Sequence, residues 1–282
     1  MKVLAAITGD AAAPAVLAGA GALAELLDAE VEALHVGSAR TVTVASAAHD
    51  ADVELRTIPG EVVPEVVEAA EAQDVAAVAI AARGAPGGRR PAGRTALALI
   101  ASLAKPVVVV PPDAKCHTIH SVLVPLDGTA ASAAALEETV EVALGADLQI
   151  VVAHVQLPWS LPAFSDHVPH EARAWSEEFI ARHCPAARDA QLELRVGEPH
   201  EHVLDVCRDS GCDLVALGWS QDLGRGRAAV VRRMLAESPV PVLLTPVHAV
   251  HATMHASASA AAAGDGPSGW HHSLTRTRAL SA

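Results

Sequence analysis

One βαβ pattern occurs twice in this chain, and that duplication constrains the fold more than any single residue does. Val3-Leu4-Ala5-Ala6-Ile7 returns as Val122-Leu123-Val124-Pro125-Leu126, and Leu34-His35-Val36 as Ala153-His154-Val155, both 119 residues later. Pro59-Gly60-Glu61 then aligns with Val196-Gly197-Glu198, and Ala77-Val78-Ala79-Ile80 with Leu214-Val215-Ala216-Leu217, at an offset of 137. Lys105-Pro106-Val107-Val108-Val109-Val110 answers Val240-Pro241-Val242-Leu243-Leu244-Thr245 at 135. An offset that holds and then changes in steps marks a duplicated domain with its length changes in loops, where insertions cost little. The main insertion falls around Trp159 to Arg182.

Each copy contains five short apolar runs. They are Val3 to Ile7, Val31 to Val36, Val53 to Thr57, Val75 to Ile80 and Val107 to Val110, then Val122 to Leu126, Ile150 to Val155, Leu192 to Val196, Leu214 to Leu217 and Val242 to Leu244. Short runs that are apolar throughout and rich in β-branched residues suit strands buried on both faces of a parallel sheet. Helical signals lie between them: Pro14 behind Asp10, Thr129 or Ser132 ahead of Ala133 to Leu144, Val62 to Ala70 behind Glu61, and Glu201 to Arg208 behind Glu198. The alternation predicts an α/β fold, an open doubly wound sheet in each repeat. Domain one is expected over residues 1–112 and domain two over 118–247. Their final strands, wholly apolar and otherwise exposed edges, are expected to pack the two sheets together without merging them into one continuous sheet.

Residues 248–282 differ, being rich in Ala, Ser, Gly and His and poor in large apolar groups. Such a segment cannot offset its ordering entropy, so a disordered tail is predicted. His248, His251 and His255 would share one helix face, but no carboxylate or cysteine completes a metal set. A formal charge of −13 argues against nucleic acid and anionic membrane as partners, because phosphate neutralisation needs clustered cations. Cys116, Cys184, Cys207 and Cys212 form neither a C-x-x-C pair nor a disulfide framework, which points to a reducing compartment and a cytoplasmic protein.

In open α/β sheets, ligands bind at the C-terminal strand ends where strand order reverses. In repeat two the first strand ends Leu126-Asp127-Gly128-Thr129; in repeat one the fourth strand opens into the Gly- and Arg-rich segment Ala81 to Thr95. At these residues the chain resembles the universal stress protein family in its tandem form. The resemblance rests on "VLVPLDGT", "LHV" and "AHV", "VGEP", and a Gly-rich turn leading to "KPVVVV" or "VPVLLTP", and it covers about residues 1–247. It implies two five-stranded parallel sheets of strand order 3-2-1-4-5 that pair pseudo-symmetrically through their last strands. It also implies an ATP site in which an Asp after strand one lies near the nucleotide and a G-x2-G-x9-G-[ST] turn wraps the phosphates.

Transferred residue by residue, the site is split. Repeat two keeps Asp127 and Gly128, with Gly218 at the first turn glycine, but has Gln221 at the second and Ala228-Ala229 in place of Gly-Ser. Repeat one has Thr8 in place of the Asp, yet keeps Gly84 and Gly93, followed by Arg94-Thr95, among the arginines Arg83, Arg89, Arg90 and Arg94, which are read as a solvated loop, with phosphate contact as the alternative. Because close phosphate approach and positive φ exclude a Cβ, repeat one is expected to be the better cradle. Repeat two adds Arg225 and Arg227, read as solvated, and Trp219, read as packing against a role over a ligand base. His35 and His154 are read as structural. The string Gly19-Ala20-Gly21-Ala22-Leu23-Ala24 is rejected as a dinucleotide fingerprint because it lies inside a helix.

The expected function is a non-enzymatic stress-response module with ATP as a weak or lost ligand. The alternatives are a nucleotide-free interaction scaffold acting through its dimer-like surfaces and a nucleotide hydrolase.

Overall fold

The computed structural model describes residues 1–9, 11–38, 41–84, 91–114, 118–157, 169–224 and 228–247. The first half runs β1 (Lys2–Ala6), α1 (Ala13–Leu26), β2 (Glu30–Val36), α2 (Thr41–Asp50), β3 (Glu54–Ile58), α3 (Val62–Ala70), β4 (Val75–Ala81), α4 (Arg94–Ser102) and β5 (Val107–Val110). The second repeats it as β6 (Ser121–Pro125), α5 (Ala130–Gly145), β7 (Gln149–Gln156), α6 (Pro169–His183), β8 (Gln191–Val196), α7 (Pro199–Ser210), β9 (Leu214–Trp219), α8 (Ala229–Glu237) and β10 (Val242–Pro246). All ten apolar runs are strands, displaced by a residue or two at their ends.

Successive strand residues face opposite sides and build two cores. Val3 and Ala5 join Val16, Leu17, Val44, Val122, Leu136, Val140 and Phe179 beneath α1, α2, α5 and α6. Leu4 joins Val66, Leu99, Ile100, Leu123, Val203, Leu204 and Met234 beneath α3, α4, α7 and α8. Helices therefore cover both faces, and strands buried on both sides read as unbroken apolar runs. Helix α1 approaches the sheet closely because it presents Gly19, where an added Cβ would stand 2.7 Å from Val110 Cγ2. The glycine string rejected above is a helix–sheet contact.

The expectation of two separate sheets is corrected. There is one ten-stranded sheet, ordered β3-β2-β1-β4-β5-β10-β9-β6-β7-β8. Each half has the order 3-2-1-4-5, and the halves meet where β5 and β10 pair antiparallel, Val242 with Val109, Leu243 with Val108 and Leu244 with Val107. The foreseen strands make the contact, but through backbone hydrogen bonds that remove both open edges. The insertion is also not all loop: α6 has 15 residues where its counterpart α2 has 10.

Across the seam the repeats hold each other reciprocally. Gln221 Nε2, beyond β9, donates to Leu103 O at 2.7 Å and Ile100 O at 3.4 Å, at the C-terminus of α4. Arg83 Nη1, beyond β4, donates to Leu235 O at 3.3 Å in the last turn of α8. Terminal helix carbonyls lack intrahelical partners, so each repeat caps the other's last helix. Asp213 fixes the entry to the second half, its carboxylate accepting from His120 N at 2.9 Å, Ser121 N at 3.0 Å and Ser121 Oγ at 3.1 Å. The predicted tail, with His248, His251 and His255, lies outside the described residues.

Candidate functional site

Within each half the strand order reverses beside the first strand: β1 pairs with both β2 and β4, and β6 with both β7 and β9. The C-terminal ends of these strands open into two cavities. Cavity one, about 290 Å³, brings together Thr8, Arg83, Gly84, Gly93, Arg94 and Thr95. Cavity two, about 580 Å³, brings together Asp127, Thr129, Ser132, His200, Gly218 and Trp219, with Ala228 and Ala229 at one wall. Ligand pockets usually span about 300–1,000 Å³, so cavity two has the room and cavity one sits at the lower limit. A wider groove of about 780 Å³ between α1 and α2, rimmed by Glu30, Asp50, Asp52 and Glu54, lies away from these strand ends.

Cavity one is the more cationic among the described residues. Helix α4 starts at its wall with no side-chain cap, leaving the first-turn N–H groups without an intrahelical partner. Arg83 and Arg94 line the same space, and Thr8 and Thr95 add hydroxyls. Arg89 and Arg90 fall outside the described residues.

In cavity two, Asp127 is occupied by its own turn. Its Oδ1 accepts from Thr129 N at 2.9 Å, from Thr129 Oγ1 at 2.7 Å and from Ser132 Oγ. Thr129 in turn caps α5, its hydroxyl accepting from Ser132 N at 3.2 Å. Burial pushes the Asp127 carboxyl up, but the hydrogen bonds from Ser132 and Thr129 outweigh it and hold the pKa below the ordinary carboxylate value. Gly128 does not line the cavity. It has φ +82°, and an added Cβ would meet His154 Cε1 at 3.5 Å and Phe179 Cε2 at 3.8 Å. Trp219 is buried while still lining the wall. Arg225 and Arg227 lie outside the described residues.

Backbone conformation at the two turns does not follow the placement of the glycines. Gly93 is extended, with φ −64° and ψ 153°, a conformation open to any residue, and an added Cβ would find nothing nearer than 3.8 Å. Ala228, at the matching place in repeat two, is left-handed at φ +53° and ψ 36°. Gln221, at the second glycine position, has φ +57°. Repeat two keeps a glycine-like backbone after losing the glycines, and repeat one keeps Gly93 without using its freedom. Gly218 serves packing, since an added Cβ would lie 3.3 Å from Ala135 Cβ and Ser132 O on α5.

Both histidines are structural, as read. His35 Nδ1 meets Ile7 O at 3.1 Å and His154 Nδ1 meets Leu126 O at 2.8 Å, which ties β2 and β7 to the residue before each strand-one turn. His154 also packs against Phe179 and Trp175, with ring centroids 4.5 Å and 5.7 Å away. The sequence reading missed the reciprocal capping by Gln221 and Arg83. The only signal for it was a glutamine standing at a glycine position.

This geometry defines a duplicated doubly wound α/β protein with a cleft at each topological switch point. The universal stress protein family model matches residues 118–246. A universal stress protein from Archaeoglobus fulgidus is 16% identical, with 87% of this chain and 98% of that one covered and a TM-score of 0.61. A functionally unknown protein from Pseudomonas aeruginosa PAO1 is 13% identical, with 92% and 97% covered and a TM-score of 0.63. A universal stress protein in complex with cAMP is 20% identical over 46% of this chain and 98% of its own, with a TM-score of 0.34. No curated protein matches. Residues 118–246 match the universal stress protein family by sequence, and both halves share the fold of these solved structures. Among the described residues, no helix is long and apolar enough to cross a membrane.

Proposed function

We propose that this chain is a cytoplasmic, non-enzymatic stress-response module that binds an adenine nucleotide weakly, with the phosphates in cavity one. The observation that carries this reading is the meeting of Arg94, Thr8 and Thr95 at the uncapped start of α4, beside Arg83, one of whose guanidinium nitrogens caps α8. Unpaired helix N–H groups and guanidinium forks suit phosphate oxygens. Weakness follows from the missing carboxylate at Thr8 and the small volume, about 290 Å³. A dissociation constant for ATP nearer ~100 μM than ~1 μM is expected, a difference of roughly 2.7 kcal/mol.

Calorimetry on the whole chain tests this, because isolated halves would expose the β5 and β10 edges. Arg94→Gln should weaken ATP binding about tenfold, the scale of one charge-assisted hydrogen bond, and Asp127→Ala should leave it unchanged. The reverse pattern would move the site to cavity two.

A second reading, a nucleotide-free scaffold, is favoured in repeat two by two observations. Asp127 Oδ1 already accepts from Thr129 and Ser132 of its own turn, and Gln221 is committed to capping α4. No heat with millimolar ATP would extend that reading to the whole chain.

A further inference from the structure

Two of the cysteines, unremarkable as a spacing, are in contact in the fold. Cys207 lies in the last turn of α7, and Gly211, left-handed at φ +63°, ends that helix and turns the chain back. Cys212 follows at once, placing its Sγ 3.6 Å from Cys207 Sγ and 3.7 Å from Cys207 O. Both side chains are buried in the core beneath α7 and α8, with relative exposures of 1% and 3%. Sulfurs at 3.6 Å touch without bonding; a disulfide needs about 2.05 Å. Cys184 belongs to the opposite core, beneath α5 and α6.

We propose that Cys207 and Cys212 are a redox-active dithiol that closes to an intramolecular disulfide under hydrogen peroxide. The pair is chemically divided. The contact between the two thiols lowers the pKa of Cys212 against the opposing effect of burial, while the contact and burial together raise that of Cys207. Cys212, which stands outside the helix in the turn after Gly211, is the attacking thiolate. It displaces hydroxide from the peroxide O–O bond and becomes a sulfenic acid; Cys207 then attacks the Cys212 sulfur and releases the second oxygen as water. In sum, two thiols and one peroxide give one disulfide and two waters. Peroxide is small enough to reach sulfurs that open only by local fluctuation at a helix end.

The crosslink would join the end of α7 to the segment leading into β9, beside Asp213, the residue that anchors the entry to β6. The other end of α7 brings Pro199 and His200 to cavity two. The dithiol is thus placed to stiffen the helix that walls that cavity, whether or not a nucleotide binds.

The test treats the folded full-length protein with hydrogen peroxide, then alkylates under denaturing conditions and maps peptides by mass spectrometry. Of four alkylation sites, the two at Cys207 and Cys212 should be lost together, with the loss of two hydrogens, and both should return after dithiothreitol. Cys207→Ser should leave a sulfenic acid at Cys212 that dimedone traps, and Cys212→Ser should leave Cys207 alkylatable. A double variant with Cys116→Ser and Cys184→Ser should crosslink as the parent does. Both thiols still alkylated after peroxide, a crosslink that forms only in urea-unfolded protein, or one that requires Cys116 or Cys184 would each overturn the proposal.

Discussion

Replacing Ala228 by glycine should stabilise this protein, although it removes a methyl group from the start of a helix. Ala228 sits at φ +53° ahead of α8, with no side-chain cap. For an L-residue with a Cβ, the left-handed region costs about 1–2 kcal/mol. Glycine removes that cost but loses about 0.4–1 kcal/mol through the extra freedom of its unfolded chain. The difference is a gain of about 0–1.6 kcal/mol, or a rise of up to about 6 °C in melting temperature for domains of this size. Gly93→Ala supplies the control at the equivalent place in repeat one. Its backbone already suits alanine and the nearest atoms to a new Cβ are 3.8 Å away, so it too should gain about 0.4–1 kcal/mol. Thermal and denaturant unfolding of both variants read the effect directly. A fall in stability of Ala228→Gly, or a loss of 1 kcal/mol or more in Gly93→Ala, would refute the conformational assignment of the two turns.

Three other substitutions test separate parts of the structure. Gln221→Ala keeps the left-handed penalty but removes the bonds to Ile100 O and Leu103 O, and should cost about 1–2 kcal/mol in urea unfolding; no loss would mean that the cross-repeat cap is not formed in solution. Gly19→Ala should cost about 1–3 kcal/mol by crowding Val110, and adding Val110→Ala should recover part of it in the same assay. Asp127→Asn should lose about 1 kcal/mol at neutral pH by weakening the Thr129–Ser132 turn. Because the folded pKa of Asp127 is depressed, its stabilisation is present above the ordinary value of 3.8 and lost as pH falls through the lower folded value. Unfolding curves of parent and variant should therefore converge in acid, and a gap that persists there would assign the effect to packing.

The sequence alone determined the duplication, the strands and the doubly wound class, because strands buried on both faces must be apolar throughout and a repeat writes that pattern twice. It also marked the C-terminal ends of β1, β4, β6 and β9 as the place for a site. Only the tertiary structure decided how the halves join and what each turn residue does. An apolar edge strand needs a cover, but local sequence does not say whether packing or a backbone ladder supplies it. Gln221 and Arg83 act on helices more than 110 residues away, so nothing in their own neighbourhoods reveals the role. Gly93 and Ala228 show the same limit from the other side. Residue type states which backbone conformations are cheap, while the surrounding fold selects the one adopted, and here it placed the alanine, not the glycine, in the left-handed region.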